Sequence, residues 1–151
     1  MSDLALNPIT GEFDLVSEPS DFDEFITAGE TVTGNVAVAL DSLGQIVRAE
    51  AGFSADRWRV MGIVEVGALV GNLAAVITQP GRIIGLKFFT APASSTNGSY
   101  VFLSDTPGEG VLTPPTGTSK VRFIVGILTG ANGVTTTPEI LFQPAYVARS
   151  P

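Results

Sequence analysis

The sequence predicts an all-β protein, and three observations predict it. Seventeen glycines and ten prolines break the chain into short runs rich in Val, Ile, Thr and Phe, a composition that suits strands and tight turns and leaves little room for helices. Two apolar stretches echo each other: Arg57 to Gly67 (Arg-Trp-Arg-Val-Met-Gly-Ile-Val-Glu-Val-Gly) and Lys120 to Gly130 (Lys-Val-Arg-Phe-Ile-Val-Gly-Ile-Leu-Thr-Gly). Their Gly-Ile pairs, Gly62-Ile63 and Gly126-Ile127, lie 64 residues apart, as do Gln79-Pro80 and Gln143-Pro144. Charged residues make up only 15% of the chain and mean hydropathy is +0.35, against roughly 25% charge in an ordinary soluble domain. That apolar surplus goes either into a larger core or into contacts with subunits and partners.

The expected architecture is a barrel-like or tulip-like β domain with an extended N-terminal arm. Residues 1–27 form the arm and residues 28–151 a single domain, with two candidate repeat units at about 30–80 and 98–144. Chance similarity between short apolar strands competes with true duplication as the source of the echo.

In the arm, Asn7-Pro8 and Thr10-Gly11 are turn signals. Phe13, Leu15, Phe22 and Phe25 are apolar anchors among acids, and Glu12 to Val16 alternates as a strand that must pair with something. The arm folds back on its own domain or docks on a neighbour, and both readings stand.

Thr31 to Leu40 reads as a strand with Val32, Val36 and Val38 inward and a bulge at Gly34. Asp41 to Gly44 turns the chain and Gln45 to Ala49 returns. A long strand runs from Arg57 to Val66, Gly67 to Asn72 turns, and Leu73 to Thr78 follows. Gly81 to Thr90 is a further strand. The pattern then recurs: Tyr100 to Leu103 corresponds to Ala37 to Leu40, Asp105 to Gly108 turns, and Gly110 to Thr113 returns. Lys120 to Thr129 is the second long strand, and Glu139 to Phe142 closes the body.

Charge is unevenly spread. Residues 1–47 hold nine of the fifteen acids and none of the eight Lys and Arg, so they carry −9 and the remainder +2, together the net −7. Such an arm does not seek nucleic acid or an anionic membrane, both polyanions, and fits a basic protein surface. The apolar run Val60 to Ile77 contains Glu65, Asn72 and three glycines, which suits two strands rather than a membrane-spanning helix.

The chain has neither cysteine nor histidine. This removes Ser-His-Asp and Cys-His nucleophiles, Cys- or His-based metal sites and histidine acid–base catalysis. Phosphate-binding glycine patterns are absent from the sequence, and no pair of acids is marked for glycosidase chemistry. Asp21-Phe22-Asp23-Glu24 lacks EF-hand spacing and reads as a solvated acidic run. The expectation is a protein that is not an enzyme and has no cofactor or metal.

Trp58, between Arg57 and Arg59, suggests a cation–π or sugar-stacking surface, but it keeps phase with Val60 and reads more simply as an inward or interface residue. With Phe88 and Phe89 it makes the candidate subunit contact.

The run Gly29-Glu30-Thr31-Val32-Thr33-Gly34-Asn35-Val36-Ala37-Val38-Ala39-Leu40-Asp41-Ser42-Leu43-Gly44-Gln45-Ile46-Val47-Arg48-Ala49 resembles the opening of small bacteriophage capsid decoration (cement) and head-fibre proteins. Arg59 to Val64, Tyr100 to Gly108, Val125 to Ile127 and Ile140 to Pro144 continue the resemblance. Asn7-Pro8-Ile9-Thr10-Gly11-Glu12-Phe13-Asp14 is similar to a segment at the start of phage head- and tail-fibre proteins. Covering about residues 7–146, the resemblance implies a non-enzymatic virion protein, often trimeric, seated on a capsid through an extended terminus.

The partners expected are therefore the major capsid protein and further copies of the chain in a homotrimer, with no nucleic acid and no membrane. Asn7, Pro8, Ile9, Phe13, Leu15, Phe22 and Phe25 are the candidate partner-binding residues of the arm. A tail, neck or baseplate fibre-attachment protein is the alternative.

Overall fold

A computed structural model describes residues 3–6, 13–16, 23–133 and 135–149. The fold is all-β, as its composition predicts. β1 (Asp3–Leu6) and β2 (Phe13–Val16) pair antiparallel in a two-stranded sheet of their own. β3 (Asp23–Thr27), β4 (Ala37–Leu40), β5 (Ile46–Arg48), β6 (Gly62–Val66) and β7 (Leu73–Ile77) make an antiparallel sheet in the order β3-β7-β6-β4-β5. β8 (Ile83–Gly85), β9 (Tyr100–Leu103), β10 (Gly110–Val111), β11 (Val121–Gly130) and β12 (Glu139–Arg149) make the other, in the order β8-β12-β11-β9-β10. A short 3-10 turn at Ser94–Thr96 is the only helical element among the described residues.

The two five-stranded sheets follow one plan. Counted from the first strand of each, both run 1-5-4-2-3. Register agrees as well: Ile63–Ile77, Val64–Val76 and Val66–Ala75 reappear 64 residues on as Ile127–Leu141, Leu128–Ile140 and Gly130–Glu139, with a bulge at the same step. The Leu40–Ile46 and Ala39–Val47 pairs reappear as Leu103–Gly110 and Phe102–Val111. The echoing stretches thus contain equivalent strands, β6 and β11.

Their shared glycines are a packing requirement. A Cβ on Gly62 would lie 2.5 Å from the Ile77 carbonyl oxygen and 2.6 Å from Val76 Cγ1, and one on Gly126 would run into the Leu141 carbonyl oxygen and Ile140.

Each sheet curls until the continuation of its first strand meets its third. Ala28 bridges Ile46 and Phe88 bridges Gly110, both in parallel. The Gly29 amide donates to the Ile46 carbonyl at 2.8 Å and the Phe89 amide to the Gly110 carbonyl at 3.0 Å. Neither sheet is a closed barrel, because β5 and β10 are only three and two residues long and supply too few rungs to zip the seam. The expected compact β domain is thus built from two curled open sheets.

Alternation along the strands divides the core. Ala37, Ile63 and Ile77 of the first sheet pack with Leu103, Val125, Ile140 and Phe142 of the second. Val38, Val64 and Val76 point the other way, into a cluster roofed by Ala28, Val32 and Val36. Since both faces of β6 and β7 are buried along most of their length, their sequences read as continuous apolar runs.

Several expected boundaries move. The strand from Arg57 begins only at Gly62, because the Val60 amide bonds back to the Trp58 carbonyl at 3.0 Å and makes a three-residue turn. The strand from Thr31 begins at Ala37, after Asn35 takes a left-handed φ of 67°. The Gly81 to Thr90 strand shrinks to Ile83–Gly85 where the Asn35 side-chain amide donates to the Gly85 carbonyl at 2.8 Å. β12 runs on past Phe142 to Arg149, and Pro144 falls at a register shift, where a residue without an N–H does no harm.

The arm is also shorter than expected. β3 forms five rungs with β7, from Asp23–Ile77 to Thr27–Leu73, so 23–27 is a strand of the body.

Candidate interaction surfaces

Ahead of the body, β1 and β2 bring apolar positions into register, Leu4 with Leu15 and Leu6 with Phe13. The strand expected over Glu12 to Val16 therefore pairs first with its own neighbour. Phe13 and Leu15 lie in this hairpin; Asn7, Pro8, Ile9 and Phe22 lie outside the described residues. Phe25 sits in the middle of β3, paired with Ala75, and is 56% exposed.

Trp58 occupies a half-buried aromatic group. Its ring is 5.2 Å from Tyr146, 6.2 Å from Phe123 and 6.2 Å from Phe53, the last nearly parallel at 15°. The Arg59 guanidinium lies 4.3 Å from its ring centroid, and Arg59 is itself held by Asp56 at 2.6 Å. Phe123 and Tyr146 belong to β11 and β12, so Trp58 clasps the approach to the first sheet against the second. With Phe53 and Arg59 already against the indole, the sugar-stacking reading loses its free ring.

Phe88 is a correction: at 4% exposure it is buried in the chain's own core, because its backbone bridges Gly110. Its neighbour Phe89 points outward and is exposed. Beside Phe89, Ser104, Asp105, Thr106, Val111 and Pro115 line a shallow recess of about 200 Å³.

One group of exposed apolar residues was not legible as a site. Val66, Leu69, Val70 and Leu73 surround the β6–β7 turn, and Phe25 flanks the same Ala75 that pairs with Val66. All five side chains are more than half exposed. The signal in the sequence is Leu69-Val70 set between Gly67 and Gly71, two large apolar residues where a turn ordinarily carries polar ones.

Asp23 is the other residue that sequence reasoning misplaced. Rather than joining a solvated run, it is buried, and neither carboxyl oxygen has a hydrogen-bond donor. Burial first, and then the neighbouring Glu65, raise its carboxyl from the usual carboxylate range to about 7 against the opposing charge of Arg82. Among the described residues no group of three or more His, Cys, Asp or Glu is placed to hold a metal ion, and no helix is long and apolar enough to cross a membrane. No family model and no curated protein matches the chain.

Proposed function

We propose that the protein is a structural component of a phage virion, which decorates and stabilises the capsid by binding the major capsid protein as a homotrimer on the capsid surface. The observation that carries the reading is the organisation of the N-terminus. A two-stranded sheet with apolar positions in register precedes a complete β body, and an isolated hairpin of this size is marginal in water until it packs on something else.

Residues 1–22 hold five acids and no Lys or Arg, which favours a basic protein surface as that something. Strand addition would supply backbone hydrogen bonds and the Phe and Leu side chains the anchors. The body serves as the weight-bearing knob, with its chemistry confined to packing.

The test is deletion of residues 1–22, which spares β3. Particles offered the truncated protein should lose it from their surface while the body remains folded; unchanged capsid occupancy would overturn the arm's role. Gold labelling confined to the tail or neck would replace capsid decoration by fibre attachment.

A further inference from the structure

Register offers an internal comparison for one position. Asp23 pairs with Ile77 and Ile77 with Ile63, and in the second sheet the corresponding row is Ile83, Leu141 and Ile127. The same place in the plan thus holds an isoleucine that is 56% exposed in one sheet and an aspartate that is 8% exposed in the other. That polarity is the reverse of what burial favours. The carboxyl is therefore not a demand of the sheet's plan, and it stands on the first rung of β3, directly after residues 1–22.

We propose that Asp23 is a proton-operated latch at the root of the N-terminal arm: protonated, it holds the start of β3 on β7, and ionised, it lets the start of β3 go and lengthens the arm. Such a latch regulates the arm of the proposed function and rests on that reading for its purpose.

β3 is an edge strand, with β7 as its one neighbour in the sheet, and its two ends are held unequally. Beyond Thr27, Ala28 bridges Ile46, the Ala28 amide donates to the Asn72 carbonyl at 2.9 Å and the Gly71 amide donates to the Ala28 carbonyl at 2.8 Å. Opening therefore starts at Asp23 and runs toward a fixed point. The charges around Asp23 set its sense. β7 contributes no titratable side chain, and Glu24 alternates to the other face of β3, where it is exposed. Glu65 of β6 acts on Asp23 with like charge, and Arg82, ahead of β8, opposes it. Neither Asp23 oxygen has a donor, so an ionised carboxyl there is a buried charge without a hydrogen bond, a state relieved by opening the first rung to water. The protonated acid carries no charge to relieve. Each residue freed from β7 adds roughly 3.3 Å to the arm's reach.

The experiment is amide hydrogen exchange on the full chain from pH 5 to pH 8, each rate taken relative to the intrinsic rate at that pH. The closed carboxyl titrates at about 7 and a released one at 3.8, so opening should gain about tenfold per pH unit between those values and level off above them. Protection of the β3 amides in wild type should fall on the order of 30-fold or more over the range and stay below that of the β11 amides throughout. In Asp23→Asn, with its fold verified by circular dichroism and Trp58 fluorescence, the fall should vanish, and at pH 8 its β3 should be better protected than that of wild type. β3 protection that ignores pH, a fall that persists undiminished in Asp23→Asn, or β3 amides as protected as those of β11 at pH 8 overturns the latch, the last because Asp23 is then released only when the whole body unfolds. Exchange is read without capsids, which separates the two readings. Unchanged capsid occupancy on deletion of residues 1–22 removes the arm's role and leaves the latch, whereas a β3 indifferent to pH removes the latch and leaves decoration standing.

Discussion

The carboxyl of Asp23, buried in β3, lies beside the Glu65 side chain of β6 with no hydrogen-bond donor on either oxygen. An acid that folding moves from 3.8 up to about 7 binds its proton more tightly in the native state than in the unfolded one. The native state then holds more protons than the unfolded state between those values, so stability is full below about pH 4 as far as this group is concerned and is lost as pH rises through 7. The melting temperature should fall between pH 5 and pH 8, by an amount reflecting on the order of 1 to 3 kcal/mol. Asp23→Asn, which keeps shape and removes the charge, should flatten that slope and stabilise the protein at pH 8. A slope unchanged by the substitution would assign the pH dependence elsewhere.

Gly62 and Gly126 should be intolerant of any side chain. Gly62→Ala drives a methyl into the Ile77 carbonyl, and Gly126→Ala does the same at Leu141. Both contacts are with backbone inside a ladder, which can yield only by parting the strands, so each substitution should cost roughly 2 kcal/mol or more in denaturant unfolding. Gly52→Ala, with nothing within 4 Å of the new methyl, is the matched control and should stay within about 0.5 kcal/mol of wild type.

The equivalence of these two glycines was legible because a close approach between strands demands glycine twice, and the demand survives when most other identities do not. Strand rhythm was legible for the same reason: Tyr100–Leu103 has its expected bounds, since a turn signal follows it directly and alternation is undisturbed. Features set by long-range contacts were hidden. Arg57 to Met61 has the composition of a strand but is bent by a local turn and held by ion pairs to residues remote in sequence or at the loop before it. Phe88 and Phe89 are identical in type and adjacent, and only the bridge to Gly110 decides which one is buried. Asp23 looked solvated because its neighbours in sequence are acids, whereas its neighbours in space are Glu65 and Arg82.

Glu30 ties together two parts of the first unit, accepting hydrogen bonds from Arg48 and Arg57 at 2.8 Å each. Both guanidinium groups are more than one-third exposed, so solvent screens the attraction heavily. Glu30→Ala should lower stability by about 1 kcal/mol in low salt, and the difference from wild type should shrink at 1 M salt, where the screening length falls to about 3 Å. A salt-independent loss would mean that packing of the side-chain stem, not charge, is what Glu30 supplies.

Two truncations separate the arm from the body. Removal of residues 1–22 leaves β3 whole, so the body should keep its cooperative unfolding and its melting temperature within a few degrees, to the order of about 1 kcal/mol. Removal of residues 1–27 takes away all five rungs to β7, strips a neighbour from the buried Ala75 and Ile77, and turns β7 into a bare edge. That loss of backbone pairing and apolar cover should lower the melting temperature by on the order of 10 °C or more and expose an edge prone to aggregation. Thermal denaturation of the two proteins side by side reads the boundary directly: equal stability would mean that the arm extends to residue 27 after all, and a large gap places its root between Phe22 and Asp23.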